Sequence, residues 1–353
     1  MQFFEDLPDF AHYNPALEPL RITGVILRRA GGGFRFIGLY ISWKACAADL
    51  WSMGPGPVPV AQIDMKYTKP ALTYDDQLAL LESRGLTLGN LDRARRWLVR
   101  VGYYRLSAYF LPFKILGTDN FQPGATFDQV TDLYKFDAGL RLLFMQVIDR
   151  VEVAIRATIT YELAHSLGPF GYADPNNFAP SYDHRQFMGL LAYEEKRATE
   201  LFVSHYRSKY TSEPYLPIWM VTELVSFGAL SKLTENSRAS IRKRIAKEYR
   251  TVEPAFISWM HTLTSVRNLC AHHNRLWNRE LPVPPVLPHD WIVTGLTNER
   301  LYCVAVILNH LLRIVAPKSQ WRDRLKAQFA KHPAIDRVAM KFPAKWEEHP
   351  DWK

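Results

Sequence analysis

An all-α fold is what this sequence predicts, and three observations carry it. Apolar residues recur at three- and four-residue steps over the stretch from Phe127 to Ser166. Helix-starting residues stand where such stretches begin, at Thr73, at Asn90 or Asp92, and at Thr126. Alternating strand patterns are scarce, and no internal repeat is visible.

Taken in order, residues 1 to 64 stand apart. Gly31-Gly32-Gly33 and then Gly54-Pro55-Gly56-Pro57, with Pro59 close behind, punctuate rather than build elements. The glycine run is not followed by the Lys-Ser/Thr of a phosphate loop. At Met65 the text changes character, so Met65 is the expected start of the folded protein and 1–64 an extension upstream of it, with Met1 and a real N-terminal arm as the alternative. Thr73, followed by Asp75, Asp76 and Gln77, opens a helix to Arg84 that stops at Gly85. A second helix ends at Gly102, and a third covers Tyr103 to Phe113. These make an N-terminal helical region over 65–125.

From 126 to 353 a helical core is expected. Its longest helix carries Leu133, Phe136, Leu140, Phe144, Val147, Val151, Ile155, Ile159 and Leu163 on one stripe, with a break near Asp137-Ala138-Gly139. Asp183 to Lys209 reads as polar and helical, and Ile218 to Phe227 as a further helix followed by Gly228. Ser237 to Arg250 is basic. Phe256 to His272 is helical, the four prolines of Leu281–Pro288 force an extended loop, and helices follow at Asn298–Val315 and 318–331. The ending, Met340 to Lys353, is aromatic and irregular.

Composition narrows the function. With 48% apolar and 13% aromatic residues in 353, the chain has the material for a large core. A formal charge of +9 fits polyanionic partners, and fits equally a soluble protein kept apart by its own charge. Three scattered cysteines, Cys46, Cys270 and Cys303, make a disulfide framework or zinc cluster improbable and point to a reducing cytoplasm. No apolar run is long enough for a membrane span, since Leu301 to Val315 carries His310 and Arg313. The acidic Glu5, Asp6 and Asp9 do not suit a signal peptide.

The chemistry lies in Arg267-Asn268-Leu269-Cys270-Ala271-His272-His273-Asn274-Arg275. Asn268 and His272, four apart, share a helix face, while Arg267 lies about 140° around from His272. Histidine exchanges protons near neutrality, arginine offers a fixed charged fork to phosphate oxygens, and asparagine orients either. That set suits phosphodiester cleavage, and without Asp or Glu in the stretch it supplies no ligands for a two-metal mechanism. Taken alone, an Arg and a His at this spacing also describe an ordinary polar helix end.

The segment resembles the R-x-x-x-x-H signature of HEPN proteins, as found in the Abi-type abortive-infection family. The likeness extends from Met65 to Lys353. It includes Met65-Lys66-Tyr67-Thr68-Lys69-Pro70, Tyr103-Tyr104-Arg105-Leu106-Ser107-Ala108-Tyr109, the pair Glu152 and Arg156, Pro217-Ile218-Trp219 and Ser226-Phe227-Gly228, and the aromatic ending, where Lys341 replaces an expected glycine. The resemblance implies a HEPN-like helical bundle with additional N-terminal helices. It also implies endoribonuclease action without metal or cofactor, leaving a 2′,3′-cyclic phosphate, in phage defence. RNA is the implied substrate, a homodimer the implied assembly, and a protein or RNA antitoxin an implied partner. Arg267 would bind the scissile phosphate, His272 would be the general acid or base, Asn268 would support them, and His273 would substitute if the register differs by one. Glu152 and Arg156 would reach the site from the long helix, or form an ordinary surface ion pair. Arg275, Arg242, Lys243 and Arg244 are candidates for holding RNA backbone, although a solvated basic face is the commoner fate of such residues. Tyr103, Tyr104 and Tyr109 fit base stacking, although core and interface are the commoner fates of such residues. The reading from a different class is a non-catalytic HEPN module that binds RNA or protein.

Overall fold

The computed structural model describes residues 67–348 and Trp352. The extension expected over 1–64 lies outside the described residues. Residues 66–353 form one compact unit. Among the described residues the regular elements are helices, and strand-like pairing is limited to isolated bridges such as Thr87 with Thr126.

The N-terminal region holds α1 (Tyr74–Ser83), α2 (Leu91–Val101) and α3 (Tyr103–Phe110). Each start follows from its cap. Thr73 and Asp76 form a reciprocal capping box, and the Asn90 side chain accepts the Arg93 N–H at 2.8 Å. Such a cap stabilises a helix by about 1 kcal/mol. Gly102, at φ +86, turns the chain between α2 and α3, a conformation that favours glycine.

The axis of the molecule is α4 (Phe127–Leu167), 41 residues long and opened by a Thr126–Gln129 capping box. The apolar stripe read from the sequence is buried along its whole length. Burying each such side chain contributes about 1.5–3 kcal/mol relative to exposure. The break expected at Asp137-Ala138-Gly139 is absent. Gly139 lies inside the continuous helix, and the amide of Gln328, which donates to the Phe136 carbonyl at 3.0 Å, occupies the space a Cβ there would need. Asp137 stays helical because it is an acceptor for groups outside the helix, described below.

Around α4 pack α7 (Ile218–Leu224), α8 (Phe227–Glu235), α9 (Ala239–Glu248), α10 (Glu253–Ala271), α12 (Leu301–Val315) and α13 (Trp321–Lys331), with α3 at one side. Three other stretches are more finely divided than the sequence indicates. The segment 183–209 is two helices, α5 (His184–Arg197) and α6 (Leu201–Lys209), because Ala198 and Glu200 adopt extended backbone; Arg207 Nε then reaches Glu195 across the break at 2.6 Å. Gly228 does not end a helix. Ser226 caps α8, accepting the Ala229 N–H, so Gly228 lies inside α8, where a Cβ would stand 3.3 Å from the Thr264 methyl of α10. A short helix, α11 (His289–Val293), follows the proline-rich loop. The aromatic ending is irregular but packed: Phe342, Trp346 and Trp352 are buried against Phe329 and Trp321. No helix among the described residues is long and apolar enough to cross a membrane.

Candidate active site at the end of α10

The helix α10 ends in the middle of the signature. Val266, Leu269 and Cys270 face the core, and His272 is the C-cap. The chain then turns through His273 in the left-handed region, at φ 56. The Asn274 N–H closes back on the Leu269 carbonyl at 2.8 Å and the His273 N–H on the Cys270 carbonyl at 3.1 Å. This is the Schellman arrangement, which usually has glycine where His273 stands. A side chain there costs on the order of 1 kcal/mol, so the turn is held by its surroundings.

Those surroundings are specific. Arg105 Nη1 of α3 donates to the His273 carbonyl at 2.8 Å, and Arg275 Nη1 donates back to the Ala108 carbonyl of α3 at 2.6 Å. The Leu276 and Trp277 N–H groups donate to Asp137 Oδ1 at 3.0 and 2.7 Å. The other oxygen of Asp137 accepts from the Tyr109 hydroxyl at 2.6 Å and from Arg141. Asp137 is fully buried. Burial pushes its carboxyl up, and Arg141, Tyr109 and the two amides pull the other way. Burial also raises the Tyr109 hydroxyl far above the ordinary phenol range, which keeps it a donor.

Arg267 projects from the last turn of α10 with its side chain 37% exposed. Its Nε stands 3.9 Å from Glu152 Oε2 of α4 and is buried without a hydrogen-bond partner among the described residues, while Nη1 donates to the Asn268 side chain at 3.3 Å. Glu152 and Arg156 form no ordinary surface pair. Each side chain is only 13% exposed, Arg156 Nη2 donates to Glu152 Oε1 at 2.8 Å, and Arg156 Nη1 reaches the carbonyls of Thr222 and Val225 at the end of α7. Glu152 thus stands between two guanidiniums. Asn268 offers its carbonyl to Arg267, and its backbone carbonyl accepts the His272 N–H at 2.9 Å. His272 and His273 are both exposed. Partial burial, followed by the charges of Arg105 and Arg141 and by His272, holds His273 below the ordinary imidazole range. The Cys270 thiol, buried beneath the turn, is pushed up to about 12 by desolvation and is no nucleophile at neutral pH.

The four proposed RNA-holding residues separate. Arg275 is spent on Ala108. Arg242 is engaged by Glu253 and the Ser237 carbonyl, and Arg244 by Glu162 and Ser166. Lys243 is exposed, with no ionic partner among the described residues. Glu162, which anchors Arg244, lies ten residues beyond Glu152 on α4, about 15 Å along the helix. The two α9 arginines are therefore paired, and Arg244 is displaced from the α10 turn. Arg105, Asp137 and Arg141 carry no signal of this role in the sequence, whereas Tyr109 takes the core alternative of its expected fates.

Among the described residues no three His, Cys, Asp or Glu side chains are grouped so as to hold a metal ion. The model of the family described as Abi-like protein matches residues 96–278, from within α2 to the turn after α10. Neither the curated proteins nor the solved structures give a match. The matched span contains Glu152, Arg156, Arg267 and His272 and covers more than half of the chain, which therefore belongs to the family of Abi-like proteins.

Proposed function

We propose that this protein is an endoribonuclease of the HEPN type, acting in phage defence without a catalytic metal. The observation that carries the reading is the presentation of Arg267 and His272 at one helix end: a guanidinium backed by Glu152 and Asn268, and an exposed imidazole at the cap five residues later. Arg267 binds the non-bridging oxygens of the scissile phosphate, where charge grows in the transition state. The His272 imidazole takes the proton of the ribose 2′-OH. The 2′ oxygen bonds to phosphorus, the bond from phosphorus to the 5′ oxygen breaks, and that oxygen takes a proton from an acid or water. The products are a 2′,3′-cyclic phosphate and a 5′-hydroxyl. Glu152 orients Arg267, and Arg156 fixes Glu152. A homodimer bringing two such helix ends to one RNA, and an antitoxin of protein or RNA, belong to the same reading.

The test pairs growth arrest in a bacterial host with RNA cleavage in EDTA, for the parent, Arg267→Ala and His272→Ala. The parent is expected to arrest growth and to cut RNA with chelator present. Each variant is expected to lose roughly 10²- to 10⁴-fold in rate while unfolding at the parent's temperature. Three proteins that behave alike leave the motif structural and favour the RNA-holding module. Light scattering showing a strict monomer that still cleaves removes the two-chain site.

A further inference from the structure

The three tyrosines of the Tyr103–Tyr109 segment have three different fates. Tyr109 is 2% exposed and hydrogen-bonded to Asp137. Tyr103 packs edge-on against Phe110 at 5.7 Å between ring centres, and its hydroxyl accepts from Arg84. Tyr104 is 80% exposed, a large aromatic surface left in water. Single exposed apolar residues need no explanation, but the position of this one is unusual. Arg105, the next residue, is bonded to the His273 carbonyl, and Ala108, one helical turn on, is bonded to Arg275. Residues four apart are neighbours on a helix surface, and helical side chains lean toward the N-terminus. Tyr104 therefore shares a helix face with Ala108, whose carbonyl meets the 272–275 turn, and is next in sequence to Arg105, which meets the same turn. Gly102 at φ +86 starts α3 two residues before it.

We infer that Tyr104 is a nucleobase platform: an unpaired base next to the phosphate held by Arg267 stacks on its ring. This rests on the ribonuclease reading above. An exposed ring on a helix is suited to stacking because every base has a face to offer, and the neighbouring Arg105 guanidinium keeps the surroundings favourable to a polyanion. A base inside a duplex is already stacked, so such a platform selects single-stranded segments.

The experiment uses the full chain. Sequencing the ends generated in bacterial RNA defines a cut site, and a fluorescein-labelled oligonucleotide carrying it serves as substrate, alone and annealed to its complement. Tyr104→Ala is expected to raise KM roughly tenfold with a smaller change in kcat, and Tyr104→Phe, which keeps the ring face, is expected to restore KM. In the cleavage-impaired His272→Ala background, Tyr104→Ala is expected to weaken binding of the single strand by the same factor, and the duplex is expected to bind weakly with or without Tyr104. A parent that cuts with Tyr104→Ala unchanged in KM, or with Tyr104→Phe as impaired as alanine, overturns the platform and leaves the ribonuclease standing. A parent that neither cuts nor binds RNA overturns both.

Discussion

Two acid–arginine pairs with the same spacing sit on α4, and they differ in what is left over. Asp137 and Arg141 are buried almost completely, and both Asp137 oxygens are occupied, by Tyr109, Arg141 and two backbone amides. Glu152 and Arg156 are slightly exposed, and among the described residues Glu152 Oε2 has only a long contact to Arg267. The first pair is saturated and holds the loop that follows the motif. The second keeps an oxygen uncommitted beside an arginine that itself has an unused buried N–H. A saturated network fixes a single geometry, whereas an incomplete one can take up a charged substrate at modest rearrangement.

The largest effect should come from the saturated pair. Asp137→Ala leaves Arg141 buried without its counter-ion and two amides without an acceptor, and is expected to cost about 3–5 kcal/mol, read by chemical denaturation. Asp137→Asn keeps an acceptor and should cost less. Equal losses would show that only the charge matters and that the amides do not depend on Asp137.

The unsaturated pair should respond in the opposite sense. Glu152→Gln is expected to lower the cleavage rate about 10- to 100-fold through misplacement of Arg267, with a loss of stability clearly below that of Asp137→Ala. Reduced stability with full activity per folded molecule would make Glu152 a staple between α4 and α7 and erase the contrast.

A third contact is intermediate. His261 of α10 faces Ser231 at 3.1 Å and Glu235 at 3.3 Å on α8, and burial, against the pull of Glu235, lowers its imidazole below the ordinary range. His310, bonded to the Tyr249 carbonyl, and His273 are lowered as well, by burial first. For a depressed histidine the unfolded chain binds the proton more readily. The stability is therefore present above the unfolded value near 6.5 and is lost as pH falls through the folded one. The denaturation midpoint is expected to drop between about pH 7 and about pH 5.5, and a flat profile there would show these sites to be better solvated than their packing indicates.

The contrast also explains what could be read from the sequence. The caps at Thr73, Asn90 and Thr126 and the α4 stripe depend on neighbours three or four residues away, so they were legible. Asp137 was read as a breaker because the amides it accepts lie 139 and 140 residues along the chain. Arg275 was read as an RNA contact because its carbonyl partner is 167 residues away. The motif itself was visible as residue types at a spacing. The support from Arg105, which helps turn a polar helix end into a candidate site, exists only in the fold, whereas that from Glu152 is already implied by the resemblance.

The smallest prediction carries the same contrast to the backbone. His273 at φ 56 and Lys341 at φ 65 are both side chains in the left-handed region. His273 is locked by Arg105 and lies in the motif; Lys341 only ends a 3-10 turn before the buried Phe342. Lys341→Gly relieves the backbone at no functional cost, and is expected to raise stability by up to about 1 kcal/mol with cleavage unchanged. His273→Gly relieves a similar conformation but forfeits the imidazole's own interactions, so its gain should be smaller, and cleavage should fall if that imidazole exchanges protons with the substrate. Equal gains with no change in cleavage would assign the proton transfer to His272 alone and leave the strain at His273 as the cost of placing His272 at the cap.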